Sequence, residues 1–219
     1  MASTSSTTTK PHFLRALSSP STKLTKDKPR LYIALYPRGG SSTTSSFRNV
    51  SSCDSYHWAL VVGPQTAWRT DEGTRYHVAH LDEKSDRYLY EEQDIPLNIV
   101  AQKCLVRVAV CKVTDEARLQ SILRDMPIRG DDSAFNCLTW VREAFRKLHD
   151  DGKAVKTYLK SDDWDDVEEC ARKYSKRKRD AGRFQEVATV NNNNNGVATN
   201  WDVKKISTFN FWENRETTS

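Results

Sequence analysis

The chain has 219 residues, a formal net charge of +5, and 37% hydrophobic against 29% charged residues. That length suits one domain, and the apolar residues gather between Leu31 and Phe145, where a core can form while the ends add little to it. No apolar run approaches a membrane span and no apolar leader opens the chain, so no membrane anchoring or secretion is expected; the mild positive charge suits a polyanionic partner without requiring one.

The segment 2–28 is rich in Ser, Thr and Lys and poor in acids, a composition that transit peptides share with disordered tails. Without a clear amphipathic helix it reads as a disordered tail, 1–29, ahead of a catalytic unit over 30–187. Residues 31–36 (LYIALY) are β-prone and closed by Pro37 and Gly39-Gly40, which predicts a first strand. A Ser/Thr loop over 41–55 leads to YHWALVVG (56–63), a second strand stopped by Gly63-Pro64. A polar loop with Gly73 precedes RYHVAHL (75–81), a third strand. Residues 87–91 predict a fourth, and CLVRVAVCKV (104–113) a fifth.

Helical signals then take over. Thr114 is the predicted N-cap, with Asp115 and Glu116 in the first turn and Leu119, Ile122, Leu123 and Met126 at helical spacing, before Pro127 and Gly130 end the helix. A second helix opens near Asn136 and carries Cys137, Trp140, Val141, Ala144, Phe145 and Leu148 as one buried stripe. A third is predicted over 162–179, acidic at its start and basic at its end, as the helix dipole favours. The asparagine run 191–195 is a low-complexity loop and 204–212 a last strand, both within a loop-and-strand tail, 188–219. Strands first and helices after predict an α+β fold with an antiparallel sheet.

Five cysteines (Cys53, Cys104, Cys111, Cys137, Cys170) contain no CxxC pair and no zinc-site spacing. Neither a disulfide framework nor a metal is expected, no cofactor is called for, and the reducing cytoplasm is the expected compartment. Cys137 stands apart because it opens a helix, where unpaired N–H groups and the dipole lower a thiol pKa and can hold an oxyanion. A plain core cysteine is the competing reading, since Cys137 shares its stripe with Trp140 and Val141. His57 shifts that balance. Its strand places Tyr56, Trp58, Leu60 and Val62 on one face, and His57, Ala59, Val61 and Gly63 on the other. The small residues beside His57 are expected to admit the cysteine helix, making a Cys–His dyad for acyl transfer. His77 and His80 fall on opposite faces of the next strand; His77 is taken as the residue that orients His57, and His80 as an ordinary polar residue.

The order YHWALVVG, RYH, NCLTWV resembles the circularly permuted papain-like NlpC/P60 superfamily and its lecithin–retinol acyltransferase-like group. That resemblance implies a strand base (His57), a second strand histidine (His77) and a nucleophile at a helix start (Cys137), with an antiparallel sheet packed against the nucleophile helix. Leu138 and Thr139 replace the acid and histidine usual after the NC pair, and an apolar membrane tail is missing, which argues against a lipid substrate. LYIALYPRGG, YHWALVVGP, GTRYH, FNCLTWVREAF and DAGRF are similar to the fungal arginine-containing cyclodipeptide synthases. This implies arginyl-tRNA as partner and substrate, a Cys137 arginyl thioester, a second aminoacyl-tRNA as amine donor and a diketopiperazine product.

An arginyl group calls for carboxylates, and Asp131, Asp132, Glu91 and Glu92 are the candidates beside the expectation that each is a solvated surface charge. The run RKYSKRKRDAGR holds Arg172, Lys173, Lys176, Arg177, Lys178 and Arg179. These read as phosphate contacts for tRNA, with a solvated helix end or a nuclear localisation signal as the plainer readings. They are too many for pairing with nearby acids alone to be expected. The rival functions are a thiol hydrolase of the same permuted fold and a non-catalytic RNA-binding module.

Overall fold

The computed structural model describes residues 28–37, 56–65, 72–81, 87–97, 104–184 and 205–219. The Ser/Thr-rich segment 1–27, the loop 41–55 with Cys53, and the asparagine run 191–195 lie outside the described residues. Strands β1 (Arg30–Pro37), β2 (Tyr56–Gly63), β3 (Glu72–His80), β4 (Tyr88–Pro96) and β5 (Val106–Val113) come first. They are followed by α1 (Glu116–Arg124), α2 (Cys137–Asp151), β6 (Val155–Lys156), α3 (Trp164–Asp180), β7 (Ser207–Asn210) and β8 (Arg215–Thr218). The fold is α+β. One sheet runs β4-β3-β2-β1-β5-β7-β8, with β6 also paired to β5, and only the β5–β7 pair is parallel. Among the described residues no helix is long and apolar enough to cross a membrane.

Alternation decides what each strand buries on which side. Leu31, Ile33 and Leu35 of β1 join Tyr56, Trp58, Leu60 and Val62 of β2 under the helices, with Val141, Phe145, Trp164 and Val167. Trp164 has no exposed surface and its ring lies 5.6 Å from Phe145 and 6.5 Å from Trp58. Side chains of that size each contribute about 1.5–3 kcal/mol on burial. The reverse face buries a second set, Tyr32, Ala34, Tyr36, Ala59, Val61, Cys104 and Ala109.

Local departures from the sequence expectations have identifiable causes. Thr114 does not cap α1: its hydroxyl donates to Lys153 O at 2.5 Å, and Asp115 accepts from Arg118 N at 3.0 Å instead. β4 continues past Glu91 to Pro96 because an edge strand tolerates the polar run Glu92-Gln93-Asp94. Gly73 belongs to β3 rather than a loop, and a Cβ there would stand 2.5 Å from Val62 O, so glycine permits the β2–β3 approach. The single strand expected over 204–212 is a hairpin. Asn210 Oδ1 accepts from Trp212 N and Glu213 N, and Asn214 adopts a φ of 45°, which turns the chain into β8.

Candidate active site

The start of α2 is a reciprocal cap. Asn136 Oδ1 accepts from Leu138 N at 2.9 Å and Thr139 N at 3.1 Å, while Thr139 Oγ1 accepts from Asn136 N at 2.8 Å. Cys137 is the first helical residue and is 4% exposed. Because the cap occupies the N–H groups of Leu138 and Thr139, the Cys137 N–H is the first-turn donor left for an oxyanion.

His57 and His77 meet, as expected for a base and its orienting partner: His57 Nε2 lies 2.8 Å from His77 Nδ1, with the rings edge to face. His77 Nε2 lies 3.1 Å from Glu91 Oε2, near enough for an ion pair but off the hydrogen-bonding direction, so the buried nitrogen has no hydrogen-bond partner. Burial first, then the His57 and Arg75 charges, push His77 down to about 3, so its imidazole is neutral. The half-exposed Glu91 carboxylate does not offset this. A neutral His77 carries one ring proton. With that proton on Nε2, toward Glu91, Nδ1 accepts from His57 Nε2–H and the His57 lone pair is on Nδ1. The opposite tautomer turns a lone pair toward a carboxylate and is disfavoured.

The helix approaches the sheet on the side opposite to the one expected. Cys137 packs in the core with Trp58, Leu60, Tyr76 and Val78, the large-residue face of β2 and β3. His57 emerges on the reverse, facing its registered neighbour Tyr36 at 6.2 Å between rings. Small side chains beside His57 therefore do not receive α2. They line the reverse face instead. The two histidines are brought together, and the thiol is set on the other face. Thiol and imidazoles nevertheless share one end of the sheet. Phe135 packs edge-on against Tyr88, which is registered with His80 at the end of β3, where β2 begins. Registered β2–β3 pairs cover Leu60–Val62 against Thr74–Tyr76 and stop short of His57 and His77. His80, set aside in the sequence, follows Tyr76 and Val78 onto the cysteine's face, its ring 4.3 Å from Tyr88.

Most of the acids and bases expected to bind substrate have partners of their own. Both Glu92 oxygens accept from Arg124 at 2.8 Å, and Asp132 Oδ1 accepts from Ala134 N at 2.9 Å in the turn before Asn136. Glu91 faces His77, and Asp131 is exposed. On α3, Arg172 is held by Glu168 at 2.7 Å and lies over the Trp58 ring. Lys173 pairs with Glu169, Lys176 with Asp180, and the buried Lys178 with Glu216. Arg177 lies over Tyr174, 3.9 Å from Glu216, and Arg179 is half-buried. Pairing with local acids is thus far more extensive than the sequence suggested, because i,i+4 spacing along α3 supplies an acid for Lys173 and Arg172, and β8 supplies Glu216. Lys173, Lys176 and Arg177 keep exposed heads.

Residues 28–218 match a family of unknown function, DUF6914. The chain belongs to this family. No curated protein and no solved structure matches it. The matched span holds both histidines, Cys137 and the β7–β8 hairpin, whose first strand extends the sheet beside β5.

Residue-level reading set Arg75 beside His77 on β3 but missed Glu91 as a neighbour of His77 and Tyr36 as a neighbour of His57. The signal was available for Glu91 alone, since a hairpin register placing Ala79 opposite Leu89 puts His77 opposite Glu91. Arg75 Nη2 donates to Gln93 at 2.6 Å and its guanidinium lies 5.2 Å from the Tyr36 ring. Burial is the largest influence on Tyr36, raising its hydroxyl well above the usual range.

Proposed function

We propose that the chain is an aminoacyl-tRNA-dependent cyclodipeptide synthase on a permuted papain-like fold, with Cys137 as the nucleophile that carries an arginyl thioester. The observation that carries this reading is the contact of His57 with His77, His57 Nε2 held 2.8 Å from His77 Nδ1, with the Glu91 carboxylate 3.1 Å from the far nitrogen of His77. The His57–His77 hydrogen bond, with the Glu91 charge favouring the proton on His77 Nε2, supports one tautomer of a general base, and a strand histidine with a second histidine behind it is the pattern the sequence resemblance implies. The unladdered stretch of β2 and β3 beside the histidines supports a route by which the thiol turns toward His57 when substrate enters.

His57 Nδ1 takes the thiol proton, and Sγ attacks the ester carbon at the tRNA 3′ end. The carbon–oxygen bond breaks, the ribose hydroxyl leaves with the proton from His57, and the thioester forms. The amine of a second aminoacyl-tRNA then gives its proton to His57 and displaces the thiolate, making a dipeptidyl ester. The free amine of that ester closes on its own carbonyl, releasing tRNA and the diketopiperazine. Burial of Cys137 at 4% exposure favours resolution by amine over water. Asp131 is the exposed carboxylate offered to the arginyl guanidinium, and Lys173, Lys176 and Arg177, each beside a local acid but with an exposed head, are the cations that turn to tRNA phosphates. Cys137→Ala is expected to abolish diketopiperazine formation from charged tRNA while the far-UV spectrum and melting curve stay those of the parent. Product within tenfold of the parent removes Cys137 from the chemistry.

A second reading is favoured by one observation: His80 lies on the same face as Cys137. A thiol hydrolase using Cys137 with His80 as base needs no route through the sheet. His80→Ala then removes activity on peptide esters that His57→Ala spares.

A further inference from the structure

The reverse face of the sheet, opposite α2 and α3, buries two arginines near one tyrosine. Arg107 of β5 is 3% exposed, Arg30 of β1 is 8% exposed, and Tyr32 between them is 1% exposed. The Arg107 guanidinium lies 4.3 Å from the Tyr32 ring centroid, and both arginines act on the Tyr32 hydroxyl, whose pKa burial raises. Arg107 Nε donates to Thr208 Oγ1 at 2.8 Å, and Thr208 Oγ1 in turn donates to Ile206 O. Arg107 Nη1 is buried and has no partner. Arg30 donates to Lys28 O at 2.6 Å and to Gln65 Oε1 at 2.5 Å, both neutral acceptors. Among the described residues no carboxylate pairs with either arginine.

A guanidinium keeps its positive charge, and taking it out of water without a counter-charge is among the costliest arrangements a fold can hold. One such group over the Tyr32 ring, a second acting on its hydroxyl, and a donor left over mark a place that an anion completes. Two cations and an open N–H call for a multiply charged, many-oxygen anion rather than a single carboxylate. A phosphate group has that charge and geometry, and guanidinium donors match its oxygens. We propose that Arg107 and Arg30 form a phosphate-binding site on the reverse face of the sheet, with Arg107 Nη1 as the primary donor and Tyr32 as the platform under it. The site uses no part of the thiol chemistry and stands whether or not Cys137 is a nucleophile.

Melting curves of the full chain in inorganic phosphate, at fixed ionic strength with chloride as balance, test the site. The melting temperature is expected to rise saturably, by on the order of 5–10 °C at a phosphate concentration a hundredfold above its Kd. Arg107→Gln is expected to weaken that response at least tenfold, and Arg107→Lys, which keeps the charge and loses the fork, to weaken it less. Adenosine monophosphate in place of phosphate distinguishes the sources: a tenfold tighter response points to a nucleotide phosphate, an equal one to free phosphate. Should Arg107→Gln fail to fold, phosphorus NMR line broadening on the parent protein decides instead, with saturation expected. No saturable response to either anion in the parent, or an equal response in parent and Arg107→Gln, overturns the proposal.

Discussion

Under the helices, β1 and β2 bury Leu31, Ile33, Leu35, Trp58, Leu60 and Val62; on the reverse, the same strands bury Arg30, Tyr32 and Tyr36 and carry His57. The first set has few polar atoms to satisfy and gains from every contact with α2 and α3. The second leaves Tyr36 Oη, Arg75 Nε, His77 Nε2 and Arg107 Nη1 buried without hydrogen-bond partners. Period-two alternation allows one strand to serve stability on one side and chemistry on the other. Buried polar atoms without hydrogen-bond partners also occur among the helices, at Trp140 Nε1, Arg142 Nε and Ser175 Oγ, but Arg142 pairs with Glu168 whereas Arg107 has no carboxylate among the described residues, and that difference points to a ligand.

Breaking the helix face should cost the most in stability. Trp164→Ala removes a fully buried indole between Trp58 and Phe145 and one of the hydrogen bonds to Glu168, which accepts from Trp164 Nε1 at 2.8 Å and keeps Arg142 and Arg172. A loss of about 3–5 kcal/mol is expected in denaturant unfolding. A loss below about 1 kcal/mol would mean that the helices contribute far less than their packing implies.

On the histidine face the expected losses are in rate. His57→Ala should lower transfer by roughly 10²–10⁴, the range of a missing general base. His77→Ala should cost less, because an orienting group only populates the right tautomer, and Glu91→Gln less again, since its carboxylate is half exposed. His80→Ala is expected to be near neutral. If His80→Ala costs more than His57→Ala in single-turnover kinetics, the base is on the cysteine's side of the sheet.

The two faces should also part in their response to acid. His77 is neutral when folded, held down to about 3, and ordinary near 6.5 when unfolded. Between those values the unfolded chain binds a proton that the fold does not, so stability falls as pH drops below about 6.5, by up to about 1.4 kcal/mol per pH unit from this residue. His77→Gln should flatten that part of the pH dependence, measured by urea unfolding of both proteins. Parallel curves would mean that His77 charges freely in the fold.

Legibility in the sequence followed the same division. The helix face was readable because its stripe on α2, from Cys137 to Leu148, is repetitive, and repetition is what hydrophobic packing writes into a chain. Pairing of His57 with His77 was readable from strand parity. The face against which α2 packs was not: small residues beside His57 suggested a docking surface, and Trp58 and Leu60 turned out to be the docking surface, because burial of large side chains outweighs ease of approach. Acids on α3 and β8 that hold the basic run were misjudged for a different reason. Glu168 and Glu169 could be paired by helical spacing, but Glu216 reaches Lys178 only through the β7–β8 hairpin, which no local pattern announces.

That run supplies the smallest expected effect. Replacing the exposed Lys173, Lys176 and Arg177 with Ala should weaken tRNA binding and lower its salt slope by about one for each phosphate left without its cation, while the melting temperature barely moves. Lys178→Ala, in contrast, strips a buried partner from Glu216 and should destabilise the fold without a matching change in salt slope. An unchanged slope in the triple variant would make the run surface alone.

Whether the thiol of the helix face reacts under the direction of the imidazoles on the other is tested most directly by intact-protein mass measurement. The protein is incubated with arginyl-tRNA alone and quenched in acid, which preserves a thioester. The expected result is a gain of one arginyl group that maps to Cys137, is absent in Cys137→Ala and forms far more slowly in His57→Ala. No mass gain, a gain on another residue, or an unchanged rate in His57→Ala would contradict a Cys137 nucleophile served by His57.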